Sequence, residues 1–362
     1  MMTPEDEETL ALAIREAGEP LSIRGGGTRG APVEGAPLSS AGLRGITLYE
    51  PGALTMVARA GTPVAEIGTA LAGEGQRLAF EPMDHRRLLG TSGEPTIGGV
   101  VAANASGPRR INVGACRDHL LGVRFVDGAG RIVKNGGRVM KNVTGYDLVK
   151  LMAGSCGTLG VLTEVSLKVL PRPERTATLT VAAGDAEAAV EVMSRALGSP
   201  FDVTGAAATQ DGDGWRVHLR LEGFADSVAY RAERLGKTLS ADEGDDPWDD
   251  LRDAVALASC AAVVRISVRP SQAPRVLAAL EAEVVQLDWG GGLIWAGGPD
   301  GASLLGAART AVAATGGHAT AVKGDVGRLP SRQPEPAPIA AISAGLRAKF
   351  DPRGILNPGA MG

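Results

Sequence analysis

Three stretches of this chain concentrate residues suited to holding an extended, phosphorylated ligand. The first is Arg24-Gly25-Gly26-Gly27-Thr28-Arg29-Gly30. A strand running into consecutive glycines presents several backbone N–H groups on one concave face with no side chain in the way, which suits a pyrophosphate. Thr28 adds a hydroxyl, and Arg24 or Arg29 a countercharge. No Gly-Lys-Ser/Thr follows, so this is not the Walker pattern. A triple glycine alone is equally compatible with a flexible turn. The second stretch, Gly90 to Gly99 and on through Asn104, Ser106 and Gly107 to Arg110, is again built of small residues, with Thr96, Gly98 and Gly99 at its centre. The competing reading is an alanine-rich core helix, which the Gly98-Gly99 pair and Ser106-Gly107 weigh against. The third couples Lys141-Asn142-Val143-Thr144-Gly145 to Gly154-Ser155-Cys156-Gly157-Thr158-Leu159-Gly160-Val161. A helix returning through that glycine turn into a strand would bracket an adenine or ribose.

These loops need rigid elements to hold them. Thr3, Pro4 and the following acids predict a helix ended by Gly18. A strand at 21–24 leads into the first loop. A strand near 54–60, a helix from Pro63 to about Ala72 capped by Thr62, and a strand at 77–80 follow. Alternating runs on either side of Asp127-Gly128-Ala129-Gly130 predict a hairpin. Residues 141–152 read as helix and 158–170 as strand, and Pro171-Arg172-Pro173-Glu174 reads as a linker. Beyond it the rhythm changes. Strand 261–268, helix 272–282, strands near 284–288 and 292–297, helix 302–315 and strand 318–323 spell β-α-β-β-α-β, the ferredoxin-like unit. The block 177–236 spells the same order without an obvious last strand, and the acidic run 242–246 reads as a solvated loop between the halves. The expected division is 1–173, 174–328 and 329–362.

Composition removes several function classes. With 37 basic against 41 acidic side chains the net charge is −4, which gives no field to attract nucleic acid, and 3% aromatics would make base-stacking platforms hard to build. Three cysteines are too few for a disulfide framework or a four-thiolate iron–sulfur cluster, and a reduced, cytoplasmic setting is expected. The first residues are acidic, unlike a signal peptide. The longest uncharged apolar run, 254–264, falls short of the roughly 18 residues a spanning helix needs, so no direct membrane insertion is expected.

Taken together, the motifs resemble the FAD-binding domain of the vanillyl-alcohol oxidase flavoproteins, and among them the FAD-binding subunits of bacterial glycolate oxidases. The resemblance rests on Arg24–Thr28, Thr96–Gly99, Ser106–Arg110, Val139–Leu148, Gly157–Gly160 and the tail Lys349-Phe350-Asp351-Pro352-Arg353-Gly354-Ile355-Leu356-Asn357-Pro358-Gly359. It implies an α+β fold: a two-part PCMH-type FAD-binding domain, a ferredoxin-like cap, and a C-terminal segment returning to the flavin. It also implies that Arg24, Gly25, Gly26, Gly27, Thr28, Thr96, Gly98 and Gly99 hold the pyrophosphate. Asn104, Ser106 and Gly107 would lie near the flavin ring, and Gly157, Thr158, Gly160 and Val161 near the nucleotide end. Some relatives attach FAD through a His or Cys near the glycine loops. Neither 25–30 nor 90–99 contains one, so non-covalent FAD is expected.

The activity implied is oxidation of a small 2-hydroxy acid to a 2-oxo acid. Electrons would pass onward to a related flavin subunit and an iron–sulfur subunit of one complex, through which any membrane association would come. The alternatives are a stand-alone FAD oxidoreductase on another alcohol or hydroxy acid, and an assembly subunit with a vestigial site. Such chemistry needs a base for the hydroxyl proton and a cation for the carboxylate. Of four histidines, His119 reads as structural, His218 as an exposed face of a cap strand, and His85 as a loop residue without a visible partner. His318, opening the last cap strand, is the candidate base. Arg110 is the candidate carboxylate partner, although a solvated Arg109-Arg110 pair is the plainer reading, and Lys141 could stabilise charge on reduced flavin. The clustered His/Glu metal site of hydroxy-acid-oxidising relatives is missing from the sequence pattern, and no metal is expected.

Overall fold

The computed structural model describes residues 1–29, 33–138 and 145–361. Gly30, Lys141 and the rest of 139–144 therefore lie outside the described residues.

The N-terminal part is organised by a five-stranded sheet in the order Ile46–Glu50, Thr55–Arg59, Val161–Lys168, Leu120–Val126, Ile132–Gly136, every pairing antiparallel. Register puts Met56 opposite Leu167, and Ala58 opposite Val165. These join Val123, Phe125, Ile67, Leu71, Val100 and Val101 in one buried core. A smaller parallel pair, Leu21–Arg24 with Ala36–Ser39, carries the first glycine loop at its end. The C-terminal tail closes on this pair, since Leu21 bridges Leu356 and the Leu21 N–H donates to Ile355 O at 2.7 Å.

Residues 175–323 form an eight-stranded sheet from two β-α-β-β-α-β repeats. Its order is Asp242–Gly244, Arg175–Ala183, Gly214–Gly223, Val203–Asp211, Val284–Asp288, Leu293–Gly298, Ala262–Ser267, His318–Lys323. The repeats join where Ala208 and Thr209 face Leu287 and Gln286. Strand alternation divides the sheet's faces. Val217, Leu219, Val264, Ile266, Leu287 and Ala319 point into a core under the helices Ala186–Leu197, Ala225–Leu239 and Gly301–Thr315. The residues between them (His218, Arg220, Glu222, Arg265, Asp288, His318) belong to the opposite face.

Several elements differ from expectation. The first repeat does have a final strand: Asp242–Gly244 pairs with residues 178–180 through its backbone, although its side chains are exposed. The opening helix runs Glu7–Glu16 with Asp6, not Thr3, as its cap, because the Asp6 carboxylate accepts from Thr9 N at 2.7 Å. Thr62 does not cap the Val64–Gly73 helix; its hydroxyl donates to Arg59 O at 2.7 Å instead. Within 141–152 the described helix is Leu148–Met152, with Asp147 accepting from Lys150 N. Residues 76–77, rather than 77–80, form the short strand there, and it pairs with Leu170–Pro171 inside the expected linker boundary. The expected 272–282 helix shortens to Ala273–Leu277. Ile97–Ala102 is a helix despite its Gly-Gly pair, since Gly98 lies where a Cβ would come 2.6 Å from the Ala60 Cβ.

Candidate functional site: a glycine cradle under an arginine-lined cleft

The first glycine loop and the 93–96 segment pass each other backbone on backbone. A Cβ on Gly26 would sit 1.6 Å from Glu94 O, one on Gly93 would sit 1.7 Å from Gly26 O, and one on Gly25 would meet Thr96 Oγ1 at 2.2 Å. Glycine is therefore obligatory at these positions on steric grounds. Gly27, at φ +72, instead opens onto free space. Thr28 is buried, and its carbonyl accepts from Thr91 Oγ1 at 3.1 Å. Arg24 donates to Ser22 Oγ at 3.3 Å. Arg29 donates to Gly99 O at 2.8 Å while its buried Nε has no partner among the described residues. Thr96 caps the short helix beyond, its hydroxyl accepting from Gly99 N.

The tail anchors this cradle. Asn357 accepts from Ile23 N at 2.6 Å and donates to Ile23 O at 3.1 Å and Cys156 O at 2.9 Å. One side chain thus ties the loop-bearing strand to the Ser155–Gly157 turn. A Cβ on Gly157 (φ +76) would lie 2.8 Å from Asn357 Nδ2. Thr158 spends its hydroxyl on Ser155 O at 2.8 Å. Gly160 makes room for Phe125, and Val161 pairs with Val126 in the five-stranded sheet. Packing and sheet pairing account for these two positions. Asn104, at φ +50, and Ser106 hold the next loop: Asn104 Oδ1 accepts from Arg117 N and Ser106 Oγ from Cys116 N. Gly107 is a docking point, because its carbonyl accepts from Trp289 Nε1 of the eight-stranded sheet at 3.1 Å.

The two sheets meet across a polar seam with two regions. In one, Glu222 pairs with Arg77 at 2.7 Å and with Arg109, and accepts from Thr204 at 2.8 Å. Glu81 takes both nitrogens of Arg220 at 3.0 and 2.9 Å. In the other lie Arg29, Arg110, Arg265 and Arg332. Among the described residues none of these four has a carboxylate within ion-pair distance. Arg332 donates instead to Cys156 Sγ at 2.9 Å. Four cations without carboxylate partners suit an anionic ligand.

The histidines sort themselves by electrostatics. Burial, with Arg29 and Arg265 nearby, pulls His85 down to about 3, and its Nδ1 lies 3.3 Å from Met83 O. His85 thus does have neighbours: arginines of the glycine loop and of the cap sheet. His218 is buried rather than exposed, pushed by burial to about 4, with Nε2 3.3 Å from Thr209 Oγ1. His119 packs on Phe80. His318 is exposed at the end of its strand, and burial of its ring, then Arg265 and Arg110, lower its pKa. That direction favours the uncharged imidazole. Lys141 lies outside the described residues. Among the described residues no group of three or more His, Cys, Asp or Glu is placed to hold a metal ion.

The first loop fits FAD: Gly27 opens onto free space, and the buried Nε of Arg29, two residues on, has no partner among the described residues and suits a pyrophosphate oxygen. Residues 1–136 match the family described as "FAD binding domain". The glycolate oxidase subunit GlcE of Escherichia coli is 39% identical over 349 residues, covering 94% of this chain and 92% of that one. This chain belongs to that family of FAD-linked oxidoreductases. Another member, the glycolate oxidase subunit GlcD of Bacillus subtilis, is 40% identical over 99 residues, 27% of this chain and 21% of the other. The solved structure of alkyldihydroxyacetonephosphate synthase superposes with a TM-score of 0.73 at 15% identity, covering 98% of this chain and 75% of that one, so the fold is shared at that distance. The family's cofactor is FAD, and some of its members are named as glycolate oxidase subunits or D-lactate dehydrogenase.

The sequence motifs contain Asn357 and Gly93 without giving either a role of its own, and they leave out Arg265, Trp289, Glu81 and Glu222. The Asn-Pro step in the tail was a usable signal for the first, and the small residues of the 90–99 stretch for the second. The others are single polar positions in alternating strands or loops, and only the fold reveals their partners.

Proposed function

We propose that this chain is the FAD-binding subunit of a glycolate oxidase-like complex, oxidising a small 2-hydroxy acid to the 2-oxo acid and passing the electrons to a related flavin subunit and an iron–sulfur subunit. The observation carrying this reading is the glycine cradle facing arginines that have no carboxylate partner, in a chain that aligns with a glycolate oxidase subunit over nearly its whole length. Bound FAD supplies a two-electron acceptor for the hydride on the α-carbon. Gly25–Thr28 and Thr96–Gly99 hold the pyrophosphate, and Asn104–Gly107 border the ring. Arg110 attracts the substrate carboxylate. His318 takes the hydroxyl proton.

Attachment is non-covalent in this reading. The fold brings His85 and Cys156 within electrostatic reach of Arg29, which inspection of the two loops alone did not reveal. Both are engaged, Cys156 with Arg332 and His85 with Met83. Flavin released into the supernatant by acid precipitation is the expected result. The functional division follows the two sheets, with residues 1–173 and the returning segment 329–362 holding FAD and 174–328 as the cap. Among the described residues no helix is long and apolar enough to cross a membrane, so association with one would come through the partners.

The test is anaerobic addition of glycolate to the FAD-loaded chain, alone and co-purified with its partner subunits. Bleaching of the flavin only in the complex supports the subunit reading. Turnover by the isolated chain with a soluble acceptor favours a stand-alone oxidoreductase, and bound flavin that no 2-hydroxy acid reduces in either setting contradicts both.

A further inference from the structure

The Ala262–Ser267 strand is apolar on its helix-covered face and carries Arg265 at the middle of the other, between Trp295 and Thr320 of its neighbours. Among the described residues this guanidinium donates no hydrogen bond to any protein group. It lies 5.1 Å from the ring centroid of Trp289 and 5.9 Å from that of Trp295. Arg110 comes from the opposite side of the seam to the same indole, 4.7 Å from its centroid.

Trp289 is held in place for this role. Its indole N–H donates to Gly107 O, and its backbone N–H donates to Asp288 Oδ1 at 2.7 Å. Its backbone is left-handed at φ +54, followed by Gly290 at +68 and Gly291 at +98. A tryptophan in that region is held against its own preference by its surroundings. The fold thus spends strain to fix an aromatic platform under two like charges.

Among the described residues neither guanidinium has a carboxylate within ion-pair distance; Asp118 acts on Arg110 and Asp288 on Arg265 only from further away. Burial, then repulsion from Arg110, pulls Arg265 down to about 10. Burial pushes the neighbouring Asp288 carboxyl up to about 7, so near neutrality it supplies only part of a counter-charge. Cation–π contact attracts each guanidinium without satisfying its N–H fork, whose shape matches a carboxylate. His318 opens the adjacent strand beside Ser267, and its titration is governed in part by both arginines.

We propose that Arg265 and Arg110, registered on Trp289, form a two-guanidinium clamp for the carboxylate of the small hydroxy acid, with Arg265 as the cap residue that makes the site select an anion. This rests on the functional reading above, and it adds a binding residue on the cap side and the platform that aligns it.

The experiment is calorimetric titration of the FAD-loaded chain with oxalate, a carboxylate that cannot be oxidised at the α-carbon, with tryptophan fluorescence read in parallel. Oxalate is expected to bind and to change the fluorescence. Arg265→Gln should weaken it at least about tenfold, the loss of one charge-assisted hydrogen-bonding partner, and Arg265→Lys should recover part of the affinity. If the Gln variant does not fold, the wild type still decides: glycolate should bind at least about tenfold tighter than neutral glycolamide. Equal binding of those two, or unchanged oxalate affinity in a folded Arg265→Gln chain, overturns the clamp. A chain that takes up no FAD contradicts the functional reading instead. The clamp consists of protein groups alone, so oxalate titration of the FAD-free chain then decides it by the same criteria.

Discussion

The seam between the two sheets holds arginines in two opposite states. Arg77, Arg109 and Arg220 are matched by Glu222 and Glu81, with side chains 19%, 7% and 4% exposed. Arg29, Arg110, Arg265 and Arg332 share the same seam and meet backbone carbonyl, thiol or aromatic groups instead. Burying a charge is tolerated structurally when a partner accompanies it. The first set therefore does the work of docking, holding the cap sheet on the FAD-binding part. In the functional reading proposed above, the second set keeps positive potential for anions, the pyrophosphate near the glycine loop and a carboxylate near Arg110 and Arg265.

That contrast can be broken most forcefully at Glu222. Glu222→Ala removes the shared partner of Arg77 and Arg109 and leaves buried guanidinium groups uncompensated. Stability should fall by about 3 to 5 kcal/mol in denaturant unfolding, and a loss under 1 kcal/mol would mean that the paired region is not what docks the sheets.

Asp288 sharpens the comparison through pH. Burial raises its folded pKa to about 7 from the ordinary value of 3.8. Between those two values the unfolded chain sheds a proton that the folded chain keeps, so this group's contribution to stability declines as pH rises toward neutrality. Asp288→Asn mimics the protonated form. Its melting curve should coincide with wild type near pH 4, and its advantage should grow to at least about 1.4 kcal/mol by pH 8, the equivalent of one pKa unit. A constant difference across that range would contradict the assignment.

Arg110 should behave in the opposite way to Glu222. Arg110→Gln relieves repulsion with Arg265 and orphans no carboxylate, so stability should hold steady or rise by up to about 1 kcal/mol. Oxalate binding should weaken in the same variant. Smallest of all is Arg87→Ala: its pair with Asp250 crosses the seam at 2.8 Å but both side chains are more than 60% exposed. Thermal unfolding should register no more than about 0.5 kcal/mol.

Much of the cradle was legible because glycine runs between strands leave few physical options. Gly25 and Gly26 mark a close approach, which proves to be onto Thr96 and the Glu94 backbone, while Gly27 opens onto free space. The second ferredoxin-like unit was legible because its strands alternate cleanly. Asp242–Gly244 was not, because an edge strand that pairs only through its backbone needs no apolar side chains. Gly160 and Val161 were expected near the nucleotide end from the resemblance alone, and the fold shows their packing on Phe125 and pairing with Val126. The seam was invisible for a different reason: Arg77 and Glu222 stand 145 positions apart, and a polar residue in an alternating strand reads as solvent-facing until a second surface covers it. His218 was misread on that ground, and Arg265 was passed over.

The measurement that bears most directly on this account is the visible absorption spectrum of the purified chain after incubation with FAD and removal of the excess, beside that of Gly26→Ala. A Cβ at that position would fall 1.6 Å from Glu94 O and force the cradle apart. An oxidised-flavin spectrum in the wild type, lost in a Gly26→Ala chain that still folds, is the predicted result. Flavin held equally well by both, or by neither, would contradict the placement of FAD in the glycine cradle.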